Sequence, residues 1–180
     1  MKVIPTRLPE VLILEPRVFE DSRGLFFESW NEKEFGRAGI RAHFVQDNHS
    51  RSAQGVLRGL HYQIRQPQGK LVRVVAGEIF DVAVDIRRSS PNFGQWEGVR
   101  LNAELHKMLW IPVGFAHGFC VLSEIAEVLY KATDYYAPEH GRCVLWNDPE
   151  LGISWPLPGD PKLSPKDAAG APLRDAEVFP

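Results

Sequence analysis

Leu71-Val-Arg-Val-Val75-Ala-Gly77-Glu-Ile79-Phe-Asp-Val-Ala-Val-Asp-Ile86 is the stretch that decides the fold class. In its second half Phe80, Val82, Val84 and Ile86 fall on one face and Asp81, Ala83 and Asp85 on the other, the alternation of a β-strand. With residues 71–75 before Ala76-Gly77-Glu78, the stretch predicts a hairpin that has one core face and one polar face. Outward from it, short apolar segments separated by turn signals predict further strands at 11–14, 24–29, 44–48, 56–63, 96–101, 107–111, 117–122, 126–133 and 144–146. About ten strands with almost no helical periodicity make an all-β sandwich or jelly roll. One short connector helix is expected at 31–38, with Ser29 and Glu32 spaced as a capping box. From residue 157 onward Pro, Asp, Lys and Gly dominate, the composition of an irregular tail.

The 180 residues carry 21 Lys+Arg against 23 Asp+Glu, a formal net charge of −2, with 44% hydrophobic residues. A chain of this length buries about 70% of its unfolded surface in one domain, so it needs neither disulfides nor a structural metal. The near-balanced charge excludes a broad electrostatic grip on nucleic acid or an anionic membrane. No segment has the length of a membrane span, and prolines at 5, 9 and 16 interrupt any signal-peptide core. Cys120 and Cys143 read as two reduced thiols, which points to the cytoplasm.

Two stretches resemble the paired motifs of the cupin superfamily: Gly55 to Gln63, containing His61, and Pro112-Val-Gly114-Phe-Ala-His117. The resemblance implies a cupin-type jelly-roll β-barrel with both histidines inside. Gln63 stands where a metal-binding cupin has its second histidine, and 64–69 lacks a carboxylate, so no metal is expected.

A more specific resemblance is carried by Phe19-Glu-Asp-Ser-Arg23-Gly-Leu-Phe26-Phe-Glu28, Gln46-Asp47-Asn48-His-Ser50, Leu57-Arg58-Gly-Leu-His61-Tyr-Gln63, Gly69-Lys70-Leu-Val-Arg73, Phe80 to Pro91, Pro112 to Phe119, Leu129-Tyr130-Lys131 and Ser164-Pro-Lys166-Asp167. In order and spacing these resemble the 3,5-epimerases acting on dTDP-4-keto-6-deoxyglucose. The resemblance implies a homodimer without cofactor or metal. It implies His61 as base, Asp167 as its orienting carboxylate, Lys70 as stabiliser of the O4 oxyanion and Tyr130 as acid. Arg23, Arg58, Lys70, His117 and Lys166 would bind substrate, Glu28, Gln46, Asp47 and Asn48 would recognise sugar and base, and Tyr136 would stack on thymine. Phe19 and Phe26 would wall the same pocket, which in this family is completed by an N-terminal segment exchanged between subunits. The tail, 157–180, would pack back to supply Lys166 and Asp167.

The residue types suit that chemistry. Protons on the carbons flanking a ketone are acidic, so inversion needs a base, a stabiliser for the enolate and an acid on the opposite face. Imidazole titrates near neutrality, and a diphosphate calls for Arg and Lys. Arg58 and His61 are three residues apart, so a bulge at Gly59 is needed to aim both at one face. Gly141 occupies a position where the family carries a substrate-contacting Glu, which Glu139 or His140 would replace. Enzymes inverting only C3 or only C5 would keep the same residues; a metal-dependent cupin and a non-catalytic carbohydrate-binding cupin are the readings from other classes.

Overall fold

The computed structural model describes residues 1–180. The strands are β1 (Lys2–Pro5), β2 (Leu12–Glu15), β3 (Phe19–Asp21), β4 (Gly24–Phe26), β5 (Gln46–Ala53), β6 (Leu57–Gln63), β7 (Lys70–Ala76), β8 (Glu78–Asp85), β9 (Trp96–Asn102), β10 (Met108–Ile111), β11 (Phe115–Val121), β12 (Ile125–Ala132) and β13 (Gly141–Cys143). Helix α1 spans Glu32–Arg37 and α2 spans Pro165–Ala168. A six-stranded sheet, β1-β2-β10-β7-β12-β5, faces a five-stranded one, β13-β6-β11-β8-β9, while β3 and β4 form a separate hairpin. This is the all-β jelly-roll sandwich expected from the alternation.

The expected hairpin at 71–86 is instead a corner between sheets. β7 pairs with β10 and β12, and β8 with β11 and β9, so the two consecutive strands never pair with each other. Gly77, at φ +75°, makes the corner, and a Cβ there would lie 2.0 Å from the Ile125 carbonyl oxygen. The polarity of β8 is also the reverse of the expectation. Its Asp81, Ala83 and Asp85 face is fully buried; Ile79 and Ala83 meet Val72, Val74 and Leu109 between the sheets. Val82, Val84 and Ile86 lie on the outer side, beneath Leu151, Leu173 and Ala176 from the C-terminal region. Alternation shows that a strand has two faces and says nothing about which one points inward when both are covered.

The C-terminal segment is ordered by backbone bonds as well as by that apolar cover. Leu57 N–H donates to Lys162 O at 3.1 Å, Leu145 N–H to Ala171 O at 2.8 Å and Phe179 N–H to Ile86 O at 3.1 Å. Fixing each residue costs about 1–2 kcal/mol of backbone entropy, and each large buried apolar side chain returns about 1.5–3 kcal/mol. Packing and bridging bonds together therefore decide that this composition lies down on the barrel.

Two local expectations shift. The cap of α1 is Asn31, whose side chain accepts from Lys33 and Glu34 N–H, rather than Ser29; Asn at the cap satisfies the free N–H groups directly. The strand expected at 144–146 lies earlier, as β13, where Gly141, Arg142 and Cys143 pair with Gln63, Tyr62 and His61. Val144 is buried under the tail, bridging Ala171, so its hydrophobicity marks packing rather than a strand.

Candidate active site

A cavity of about 330 Å³ opens between the two sheets. Arg58, His61 and His117 line it from β6 and β11, in the five-stranded wall, while Lys70 and Tyr130 line it from β7 and β12, in the six-stranded wall. Tyr136 and Lys166 complete its rim. Side chains from the two walls thus meet any ligand from opposite sides.

Arg58 and His61 share the inner face because β6 carries an extra residue: His117 pairs with His61 and Phe119 with Arg58, two steps on β11 against three on β6. The strands approach so closely there that a Cβ at Gly59, φ +124°, would lie 2.5 Å from Gly118 Cα and 2.7 Å from His117 O. Arg58 is then held by donating from Nε to Ser52 Oγ at 3.0 Å.

His61 Nε2 is hydrogen-bonded to Asp167 Oδ1. A carboxylate only accepts, so Nε2 carries the proton and the Nδ1 lone pair is left as the basic site. Asp167 is 3% exposed, capped from behind by Ser164 Oγ–H at 2.7 Å and by Gly59 N–H at 3.4 Å. Burial works to raise its pKa, but the hydrogen bonds from His61 and Ser164, His61's charge and the Gly59 N–H outweigh burial and hold it below the usual carboxylate value. α2 presents this carboxylate because Ser164 is both its N-cap and the Asp167 partner.

A second imidazole–carboxylate pair lies deeper. His117 Nε2 donates to both oxygens of Asp81, at 2.9 and 3.0 Å, and Asp81 is fully buried. Burial lowers the His117 pKa despite Asp81, so this ring is neutral at pH 7 and offers an Nδ1 acceptor. Burial also draws the Lys70 ammonium down to about 8, against the attraction of Asp81 and aided by Lys166. Lys70 is then still protonated at pH 7 while being a far better proton donor than an exposed lysine. Burial raises the Tyr130 pKa, opposed by Arg58, which keeps its phenol protonated.

Around the rim, Tyr136 is 60% exposed and its N–H donates to Gln46 Oε1 at 2.9 Å; Gln46 Nε2 in turn donates to Asn48 at 2.9 Å. Gln63 is 4% exposed and anchors the same loop, accepting from Ala137 N–H and donating to Gln66 O and Tyr135 O. Gly141 lines the cavity, and a Cβ there would lie 3.2 Å from Lys166 Nζ. Glu139 and His140 do not line it.

Other predicted residues stand apart from this cavity within the chain. Phe19 and Phe26, 49% and 67% exposed, lie on the β3–β4 hairpin together with Arg23, which is ion-paired to Asp21. Glu28 accepts from Asn31, and Asp47 pairs with Lys131 at 2.9 Å on the outer face of the six-stranded sheet. Asp81, Ser164 and Gln63 were not singled out as site residues from sequence. The alternation of β8 did mark Asp81, but on what looked like a solvent face, and only the Ser164-to-Asp167 spacing of an N-cap hinted at Ser164.

His61, Cys143 and Asp167 place one donor atom each within 4.8 Å of one another, a set that could in principle hold a soft divalent cation. The Asp167 oxygens are already engaged by His61 and Ser164, burial pushes the Cys143 thiol up to about 11, and Arg58, Lys70 and Lys166 add positive charge nearby. This environment suits an anion better than a metal.

A two-sheet barrel with acid–base groups on facing interior walls defines an enzyme of the cupin-like jelly-roll class. The family model for dTDP-4-dehydrorhamnose 3,5-epimerase matches residues 5–175. A Pseudomonas aeruginosa protein of that name is 64% identical over 100% of both chains. The crystal structure of a Legionella pneumophila dTDP-6-deoxy-D-glucose-3,5-epimerase in complex with dTDP-4-keto-L-rhamnose superposes with a TM-score of 0.95 at 54% identity, covering 98% of this chain and 94% of that one. A 3'-monoepimerase from Streptomyces bikiniensis, in complex with dTDP-quinovose, shares the fold at a TM-score of 0.89 but only 34% identity, over 94% of this chain and 87% of that one. The chain belongs to the dTDP-4-dehydrorhamnose 3,5-epimerase family. No helix is long and apolar enough to cross a membrane.

Proposed function

We propose that this protein epimerises dTDP-4-keto-6-deoxy-D-glucose at C3 and C5, giving dTDP-4-keto-L-rhamnose for dTDP-L-rhamnose biosynthesis. The observation that carries the mechanism is the His61–Asp167 pair on one wall of a cavity whose other wall bears Lys70 and Tyr130. His61 Nδ1 removes the proton from C3 or C5, and the C–H electron pair moves into the ring as O4 becomes an enolate oxygen. The Lys70 ammonium stabilises that oxygen, and Asp167 stabilises the imidazolium. Tyr130 O–H then delivers a proton to the opposite face of the same carbon. Solvent reprotonates the tyrosinate and takes the His61 proton, and the cycle repeats at the second carbon.

A positioned base contributes about 10²–10⁴ in rate, some 3–5 kcal/mol, and one donor at a developing oxyanion about 3–4 kcal/mol. Their sum lies at the low end of the roughly 8–23 kcal/mol by which enzymes lower barriers. The remainder comes from holding the sugar through its nucleotide half. Arg58 and Lys166 grip the diphosphate, His117 Nδ1 is free to accept from a sugar hydroxyl, and no carboxylate lines the cavity to repel the phosphates. Tyr136 stacks on thymine, with Gln46 and Asn48, on the inward face of β5, at the polar edges; Asp47, on the outer face, makes no such contact.

The functional unit we propose is a cytoplasmic homodimer without metal or cofactor. The exposed β3–β4 hairpin reaches the partner's cavity and brings Phe19, Arg23, Phe26 and Glu28 to its mouth. The two free cysteines, Cys120 and Cys143, fit a reducing compartment. A proton NMR time course in D₂O with dTDP-4-keto-6-deoxyglucose tests the chemistry. Deuterium should enter both C3 and C5 and the product should have the L-rhamno configuration; exchange at neither carbon would sink the proposal, and exchange with inversion at one would reduce it to a mono-epimerase.

A further inference from the structure

Ser50 Oγ is shielded from solvent and is the only buried side-chain polar atom in the chain without a hydrogen-bond partner. It lines the same cavity as His61 and Tyr130. Buried hydroxyls are nearly always paired, because an unpaired one forfeits its hydration for nothing. An orphan that lines a binding cavity therefore marks a place where a ligand atom completes the bond.

The position of Ser50 says which atom. On the inward face of β5, Asn48 stands opposite Tyr130, Ser50 opposite Val128, and Ser52 next in line accepts from Arg58 Nε at 3.0 Å. Ser50 thus lies between the phenol that protonates the ring and the guanidinium that grips the diphosphate. In the substrate, C2 lies between the phosphate-bearing C1 and the reacting C3. It also carries the one hydroxyl on a carbon whose configuration is preserved, so a contact to it survives both inversions. A serine hydroxyl donates and accepts, which matches another hydroxyl. We infer that Ser50 binds the C2 hydroxyl of the sugar and serves as the fixed point about which C3 and C5 are inverted. This rests on the epimerase reading above and adds to it a residue that discriminates the sugar rather than the nucleotide.

The test is a cycle of Ser50→Ala against a substrate lacking the C2 hydroxyl. With the normal substrate the alanine variant should raise KM five- to ten-fold while its affinity for dTDP, which has no sugar, stays within two-fold of wild type. With the 2-deoxy substrate the wild type should lose a similar factor, and the variant should lose nothing further. Thermal melting should be unchanged, since the variant removes an unpaired group. Equal losses on dTDP and sugar nucleotide, or full additivity of the two deletions, would overturn the assignment. If Ser50→Ala is unstable, the wild-type penalty on the 2-deoxy substrate still decides: turnover as good as with the normal substrate removes any C2 contact. Failure of the wild type to bind dTDP at all would instead sink the nucleotide-sugar reading itself.

Discussion

His61 donates its Nε2 proton to Asp167, a residue 106 positions further along the chain that reaches the barrel only because the tail packs back across β6. In the proposed mechanism this pair makes a base out of a strand histidine, and its parts are separable by mutation.

His61→Asn should remove nearly all turnover while dTDP binding, measured calorimetrically, stays within a few-fold. Asp167→Asn leaves the ring in place but no longer favours the Nε2–H tautomer, so kcat should fall at least about a hundred-fold with little change in KM. A fully active variant at either position would remove it from the mechanism.

Asp167 also predicts an acid-side effect on stability. Its folded pKa lies below the usual 3.8, so the unfolded chain takes up the proton first. The contribution is complete above the unfolded value and disappears as pH falls through the folded one. Melting curves of Asp167→Asn should therefore lose part of the wild type's decline in acid, and parallel curves would contradict the assignment.

Tyr130→Phe separates deprotonation from inversion. His61 can still remove a proton and return a deuteron from the same face, so the variant in D₂O should exchange the substrate with retained configuration. Normal inversion would show that another group supplies the acid.

Lys70 gives two opposite pH dependences. Its ammonium is lost near pH 8 in the folded protein and near 10.5 when unfolded, so kcat/KM should decline above about 8. In that same window the unfolded state holds the extra proton, so this group's contribution to stability rises with pH. Lys70→Arg should move the activity limb upward because guanidinium keeps its charge; an unmoved limb assigns it to another residue.

The proposed exchange of the β3–β4 hairpin between subunits is testable by complementation. Arg23→Ala and His61→Asn chains, each nearly inactive alone, should regain up to about a quarter of activity when mixed and refolded together, since one site in the heterodimer has both residues. No recovery would confine each site to a single chain.

Much of the fold was legible because short apolar segments between turn signals, and the alternation in β8, are local chemistry: a strand writes its two faces into its own residues. Gly59 was legible too, since three-residue spacing between Arg58 and His61 contradicts an unbroken strand. The site was legible through motif phrases rather than through pattern, and Asp167 through Ser164-Pro-Lys-Asp alone. What could not be read was direction. The same alternation in β8 serves a hairpin or a corner, and an inward or an outward aspartate, because period two is indifferent to which neighbour covers which face.

By itself the amino-acid sequence determined that the chain is all-β and that Gly59 must carry a bulge, and its motif phrases tied His61 to Asp167 as an expectation. Tertiary structure alone decided that β7 and β8 part company at Gly77, that Asp81 points inward to His117, and that Ser50 is left without a partner. The physical reason is range: strand formation and bulges follow from neighbours a few residues away, whereas burial and hydrogen-bond satisfaction depend on which distant segments close the remaining surface.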